Sequence, residues 1–146
     1  MPLAAGPVSA WADRLTAAFF VAAGAAALIA LIPLEPDRKG YDTHTQLGLE
    51  PCGWPTVHGM PCPTCGCTTA ACHVVHGSLI EAFVVQPFGA ALALSGLLLS
   101  AHALLCLVRG RSFVDLFVRI PFARIVAGAG VLLLASWGYK CATFAG

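Results

Sequence analysis

The stretch Pro61-Cys62-Pro63-Thr64-Cys65-Gly66-Cys67-Thr68-Thr69 concentrates the groups of this chain that could do chemistry. Cys72 and His73 follow, and Cys52 and His44 lie upstream. Five of the seven cysteines therefore fall between Cys52 and Cys72, and four of the five histidines between His44 and His76. Two cysteines with two residues between them, as in Cys62-Pro63-Thr64-Cys65, can place both thiolates on one ion. In such a knuckle the turn points backbone N–H groups toward the sulfurs, and Gly66 allows the positive φ that closes it. Tetrahedral zinc needs four ligands. Cys52 is the natural third and His44 or His58 the fourth, with Cys67, Cys72, His73 and His76 as rivals that spacing does not exclude. Cys72 and His76 share a face if that segment is helical.

The same residues suit two other chemistries. A Cys-x-x-Cys just ahead of a helix exposes one sulfur to the positive end of the helix dipole, which favours thiolate and thiol–disulfide exchange. Cys62 and Cys65 would then be the reactive pair and Cys52 the resolving thiol, although no strand precedes the motif as it does in thioredoxin-like proteins. A structural disulfide, Cys62 to Cys65 or Cys52 to either, is the third reading. Cys106 and Cys141 lie in or beside apolar runs and read as small buried hydrophobes.

The elements that must position these groups are apolar helices. Charged residues make up 10% of the chain and apolar residues 58%, with a mean hydropathy of +0.82. Soluble domains carry about 25% charged residues, so lipid must be the solvent for much of this surface. The net charge of +1, with no Lys/Arg-rich run, excludes a nucleic-acid reader. The expected fold is an all-α membrane protein in one domain, with three transmembrane helices over about 12–33, 88–108 and 121–139. Between the first two spans lie a Cys-rich loop, 35–67, and a broken apolar stretch, 68–85, read as interfacial or re-entrant helix.

Residues 1–10 form a short arm. Ser9 is placed to cap the first helix, with Asp13 at the positive end of its dipole and Trp11 as an interfacial anchor. A cleaved signal peptide fits less well, because only Arg14 precedes the apolar run and no small-x-small site follows it. Ala18, Ala22 and Ala26 recur every fourth position, with Gly24 nearby, a spacing that lets helix backbones approach. Pro33 ends this helix. After the loop, Thr68 or Thr69 caps a short helix to His76, and Gly77 stops it. Ser78 and Glu81 form a capping box for the next helix. Gln86-Pro87 kinks or restarts the chain. His102, an ionisable residue inside the second span, should face the bundle interior, either as a functional group or as a neutral hydrogen-bonding one. Ser112 caps a surface helix through Phe117. Pro121 opens the third span, and Arg124 snorkels. Trp137 and Tyr139 form its interfacial belt.

Three spans put the N-terminal arm and the 109–124 loop on one side, with five basic residues: Arg14, Arg109, Arg111, Arg119 and Arg124. The 35–82 region and the C-terminus share the other side, with Arg38, Lys39 and Lys140. Basic residues favour the cytoplasm. This predicts a multi-pass protein of the cell (inner) membrane with its N-terminus cytoplasmic and the Cys-rich loop extracytoplasmic, where disulfides become accessible.

Pro61 to Ala70, followed by His76-Gly77 and Gln86-Pro87-Phe88-Gly89, resembles the signature of a family of small bacterial membrane proteins, the domain of unknown function 2752 family. Its pattern is CPxCGxT, often followed by Arg-Ala, then Gly-Asp, then Asn-Pro before an apolar helix. Gly40-Tyr41, Thr43 to Leu49 and Pro51-Cys52 look like one subgroup, so the similarity covers roughly 35–108. Thr69, Ser78 and Gln86 stand where Arg, Asp and Asn are frequent, and losing the Arg argues against anion binding at this turn. The resemblance implies a multi-span membrane protein with no established activity, and favours Cys52, Cys62 and Cys65 as the chemically used set.

Three functions remain open on the sequence. The leading one is a non-enzymatic membrane protein whose outward loop is fastened by a metal (zinc) or disulfide site. It would present the 35–50 segment and Trp54 to a membrane-protein partner or to a second copy. The second is a membrane thiol oxidoreductase. The third is a metal-handling accessory using Cys62, Cys65 and His102. Hydrolase chemistry has no support, since neither a Gly-x-Ser-x-Gly motif nor an intramembrane carboxylate pair occurs.

Overall fold

A computed structural model describes residues 8–144. The expected arm, 1–10, thus lies mostly outside the described residues. Seven α-helices and one 3-10 turn make up the regular structure there, with no strand among the described residues. They are α1 (Ala10–Leu31), the 3-10 turn (Thr43–Leu47), α2 (Trp54–His58), α3 (Cys67–Val75), α4 (Leu79–Val85), α5 (Pro87–Arg109), α6 (Val114–Arg119) and α7 (Phe122–Thr143). Three of them, α1, α5 and α7, are long and apolar enough to cross a membrane, as the uncharged runs predict. Only 11% of the most apolar window of each is buried inside the chain. Lipid or another protein must cover the remainder.

The centre of the bundle is α5, which packs along α1, α3 and α4 and more thinly against α7. Gln86-Pro87 restarts the helix rather than kinking it. Gln86 is fully buried, its Oε1 accepts from the Phe88 N–H at 3.1 Å, and Pro87 takes the first-turn position where no donor is needed. Close approach of α1 to α5 runs through Ala17 and Gly24, not through the predicted alanine stripe. A Cβ on Gly24 would collide with the Ser100 side chain, while Ala18, Ala22 and Ala26 are exposed. The Ser100 hydroxyl lies 3.0 Å from the Phe20 carbonyl across that contact.

Asp13 has a second task besides the one its position suggests. It is buried, and its carboxylate accepts from the Ser112 hydroxyl (2.9 Å) and from the N–H groups of Phe113 (3.2 Å) and Val114 (2.8 Å). It therefore caps α6, about a hundred residues away, while standing in the first turn of its own helix as expected. Ser112 also accepts from the Asp115 N–H at 3.4 Å, in line with its expected capping role.

Other local expectations fail for identifiable reasons. Ser9 and Ser78 occupy N-cap positions but neither side chain makes a cap bond. At Ser78 the backbone N–H instead bonds the His73 carbonyl at 2.9 Å, closing the turn from α3 directly, so no capping box with Glu81 forms. Gly66, not Thr68 or Thr69, precedes α3, which begins at Cys67. Gly77 has φ +81 and ends α3 as predicted. Pro121 precedes α7 rather than opening it, and α7 runs past the predicted 139 to Thr143. His102 is exposed on the flank of α5, its Nε2 3.5 Å from the Cys106 sulfur and its ring beside Phe113. It does not face the interior. Cys106 is buried as expected, whereas Cys141 is exposed.

The ends of the bundle pair as three spans require. Asp13 holds the start of α1 beside the 109–124 connection, and the last turns of α7 lie against the Cys-rich segment.

Candidate functional site

The 35–67 segment is ordered by its own polar side chains, which is why it needs little regular structure. The Gln46 side-chain amide makes a reciprocal pair with the Glu35 backbone, accepting from its N–H at 3.0 Å and donating to its carbonyl at 2.7 Å. Thr43, fully buried, accepts from the Asp37 N–H at 3.0 Å and meets the Thr69 hydroxyl at 2.7 Å. That buried pair docks the 3-10 turn on α3 and accounts for the threonine at position 69, which has no room for a long cation. Asp42 adopts φ +66, the one non-glycine left-handed residue among those described, a conformation aspartate tolerates. Its Oδ1 accepts from the Cys52 N–H at 3.3 Å, drawing the second half of the loop back over the first.

The Cys62–Cys65 turn is held from below. The Cys65 N–H bonds the Cys62 carbonyl and the Cys67 N–H bonds the Thr64 carbonyl, both at 3.0 Å. These two donors thus go to carbonyls and not to sulfur. Gly66 has φ +88, as the motif requires, and a Cβ there would lie 2.5 Å from the Gly40 carbonyl oxygen. Outside the loop, Gln86 Nε2 donates to the Pro63 carbonyl (3.2 Å) and Trp137 Nε1 to the Pro61 carbonyl (2.9 Å). Lys140 Nζ donates to the carbonyls of Gly40 (3.0 Å) and Val85 (3.3 Å). Trp137 is thus a clamp on the turn as well as a span-end aromatic.

This framework brings Cys52, Cys62, Cys65 and His44 together. With Asp42 and Thr69 they line one cavity of about 270 Å3. Burial and the neighbouring Cys62 both act on the Cys52 and Cys65 thiols across this space. The side chains do not converge on a common point. Among the described residues no three His, Cys, Asp or Glu groups stand close enough to hold an ion, and all seven cysteines are free thiols. Cys62 is 3.6 Å from the Thr64 hydroxyl and His44 Nε2 is 3.0 Å from the Glu50 carbonyl.

The rivals lie elsewhere. His58 is exposed and stacks on Trp54 at 4.6 Å. Cys72 is fully buried under the end of α1, its thiol donating to the Leu34 carbonyl at 3.1 Å, and His76 bonds the Cys72 carbonyl at 2.8 Å. That pair fastens α3 to the first span. His73 is half-buried and faces the Pro36–Gly40 segment. Cys67 packs against Gly89 of α5, where a Cβ would come within 2.7 Å of the Cys67 Cα.

Electrostatics at the thiols oppose easy exchange chemistry. Burial pushes the Cys65 and Cys67 thiols up to about 11, with the neighbouring Cys62 adding to it and Lys140 opposing it. Burial also raises Cys52. Desolvation therefore outweighs the helix end that the sequence places next to Cys65. Such a thiol holds roughly a hundredfold less thiolate at neutral pH than an ordinary one. Maleimide should accordingly modify Cys65 and Cys67 in the folded protein about a hundredfold more slowly than exposed Cys141. Mass-resolved labelling near neutral pH checks this, and equal rates would contradict it.

Sequence reasoning missed Asp42, Gln86 as a brace, and Lys140. A left-handed Asp before Thr43-His44 was detectable in principle, but the other two act over more than twenty residues and leave no local pattern. No curated protein and no solved structure matches the chain. The segment that runs from Cys52, through the Cys62–Cys65 turn and Gln86, to the end of the α5 apolar run, residues 52–108, matches the family model described as Protein of unknown function (DUF2752), the family the motif resembles, while 35–51 lies outside the match.

Proposed function

We propose that this chain is a non-enzymatic multi-pass protein of the cell (inner) membrane whose outward loop is fastened by a thiolate–zinc site and offered to a membrane-protein partner. The observation that carries this reading is the shared cavity: Cys52, Cys62, Cys65 and His44 come from three separate stretches of chain and line one space. Three thiols and an imidazole are donors that suit zinc better than harder cations. The excess of basic residues beside the N-terminus and the 109–124 connection supports a cytoplasmic N-terminus and an extracytoplasmic cavity. The exposed Trp54 and the largely uncovered spans supply surface for a partner or a second copy.

Metal analysis of the purified protein, with thiols counted after unfolding, tests the reading. About one zinc per chain is expected by tetrahedral-site chemistry, retained in Cys106→Ser and lost in Cys62→Ser and Cys65→Ser. A metal-free protein with every thiol reactive would refute it. The shared cavity also favours one second reading, a disulfide between two of its cysteines, Cys62 with Cys65 or Cys52 with either. No zinc and two missing thiols, with a mass lowered by two hydrogens, would establish that instead.

A further inference from the structure

Between α1 and α5 lies an apolar groove of about 520 Å3, with small residues such as Ala27 of α1 and Gly96 of α5 in its walls. A Cβ on Gly96 would meet nothing within 4 Å, so no side chain of the described residues fills the slot there. Helix α3 closes one end, where Cys67 packs on Gly89. The depth of the groove follows from its lining, which runs from Leu31 to Phe20 on α1 and from Gly89 to Ser100 on α5. That is about 16 Å of helical rise on each side, and half the hydrocarbon core of a bilayer is about 15 Å. Phe20 and Ser100 stand near the midpoints of their helices, where the Ser100 hydroxyl donates to the Phe20 carbonyl at 3.0 Å. Beyond that contact the seam is filled by Ala17, Ala103, Cys106 and Phe113. The groove is therefore blind and one leaflet deep.

Thr68 marks the polar end. Among the described residues it is the one threonine whose hydroxyl bonds no other group, while the other seven are all bonded. It lines both the groove and the polar cysteine cavity, so it stands where apolar surroundings give way to polar ones. We propose that the groove binds one acyl chain of a bilayer phospholipid, from the leaflet on the cysteine side, with the Thr68 hydroxyl donating to the ester carbonyl at the head of that chain. An apolar slot left empty would stay dry and forfeit contacts along every wall. A partner's transmembrane helix fits it poorly, because such a helix needs a seam through the whole core of roughly 30 Å. Here the chain's own aromatic cluster occupies the other half. The bound acyl chain supports α3 from the membrane side, while Thr69 ties the same helix to the 3-10 turn. This site is independent of the zinc reading.

The test uses the full chain in nanodiscs of phosphatidylcholine, doped with a phosphatidylcholine whose acyl chain carries a photoactivatable diazirine. Lipid adducts are mapped by peptide mass spectrometry, and folding is checked by helical melting. Wild type should concentrate its adducts on the groove walls. Gly96→Leu should cut those adducts about tenfold or more, since the leucine displaces several methylenes of the bound chain. Thr68→Val keeps the shape, loses the hydroxyl and should lower the yield about three- to tenfold, the weight of one hydrogen bond. Ala129→Leu, at an exposed position on α7, should leave it unchanged. Adducts spread evenly over α1, α5 and α7 in wild type, as for lipid that merely surrounds the protein, would overturn the proposal. So would groove adducts unchanged in Gly96→Leu. An unchanged yield in Thr68→Val would overturn the place assigned to the ester. Should Gly96→Leu fail to fold, Ala27→Leu, exposed on the facing wall, decides the matter.

Discussion

Gly66→Ala is expected to dismantle the thiol pocket, at a cost of about 3 kcal/mol or more, whereas Gly48→Ala should cost only about 1 kcal/mol. The two glycines have nearly the same backbone, φ +88 and φ +79. They differ in surroundings, since nothing lies within 4 Å of a Cβ at Gly48 while one at Gly66 meets the Gly40 carbonyl oxygen at 2.5 Å. That oxygen cannot retreat, because it also accepts from Lys140. The methyl must therefore lift the Cys65–Cys67 turn away from α7 and open the cavity. Thermal melting in micelles, paired with the maleimide rates of Cys65 and Cys67, reads both effects. Equal penalties for the two substitutions would mean that strain in φ, and not close packing, explains Gly66.

Asp13→Ala should cost about 2–4 kcal/mol, because three donors lose a charged acceptor at once and two of them belong to the backbone at Phe113 and Val114. Phe113 is fully buried and its ring sits 5.1 Å from that of Phe20, so loss of the cap loosens the small aromatic core that joins α1 to α6. Asp13→Asn keeps one accepting oxygen and should fall between wild type and alanine. Amide exchange at Phe113 and Val114 should rise in step. The cysteine cavity lies at the other end of α1, roughly 30 Å along a helix of this length, so its labelling rates should not change. If they do, the two ends of the bundle are coupled in a way that the packing of α1 on α5 and α6 does not provide.

Much of the architecture could be anticipated because lipid imposes a coarse code. An uncharged run long enough to cross a bilayer becomes a helix whatever its neighbours, and all three runs do. Gln86-Pro87 and Gly77 punctuate the chain as local stereochemistry dictates. The failures share a cause, which is that short-range rules assign a side chain to its own helix when a distant one claims it. Asp13 stands in the first turn of α1 as expected, but its carboxylate is claimed by α6. Ser78 and Glu81 match a capping pattern, but the turn leaving α3 satisfies the backbone first. The alanine stripe has the right spacing in the wrong register, since Ala17 and Gly24 face α5 while Ala18 and Ala22 face outward. At the cavity, the cysteines and His44 could be gathered from composition alone. What holds them could not, because Trp137 reaches Pro61 across 76 residues and Lys140 reaches Gly40 across 100.

Those two reaches carry a consequence for the birth of the molecule. Trp137 and Lys140 follow the cysteine segment in the chain and so leave the ribosome after it. By then the cysteine segment has long since been made and, in the proposed topology, delivered across the bilayer. Until α7 inserts, the carbonyls of Pro61 and Gly40 lack their donors and the turn between them is unlatched. A nascent chain therefore passes through an interval in which its sulfurs are open to whatever oxidant or ion the compartment offers, and insertion of α7 ends it.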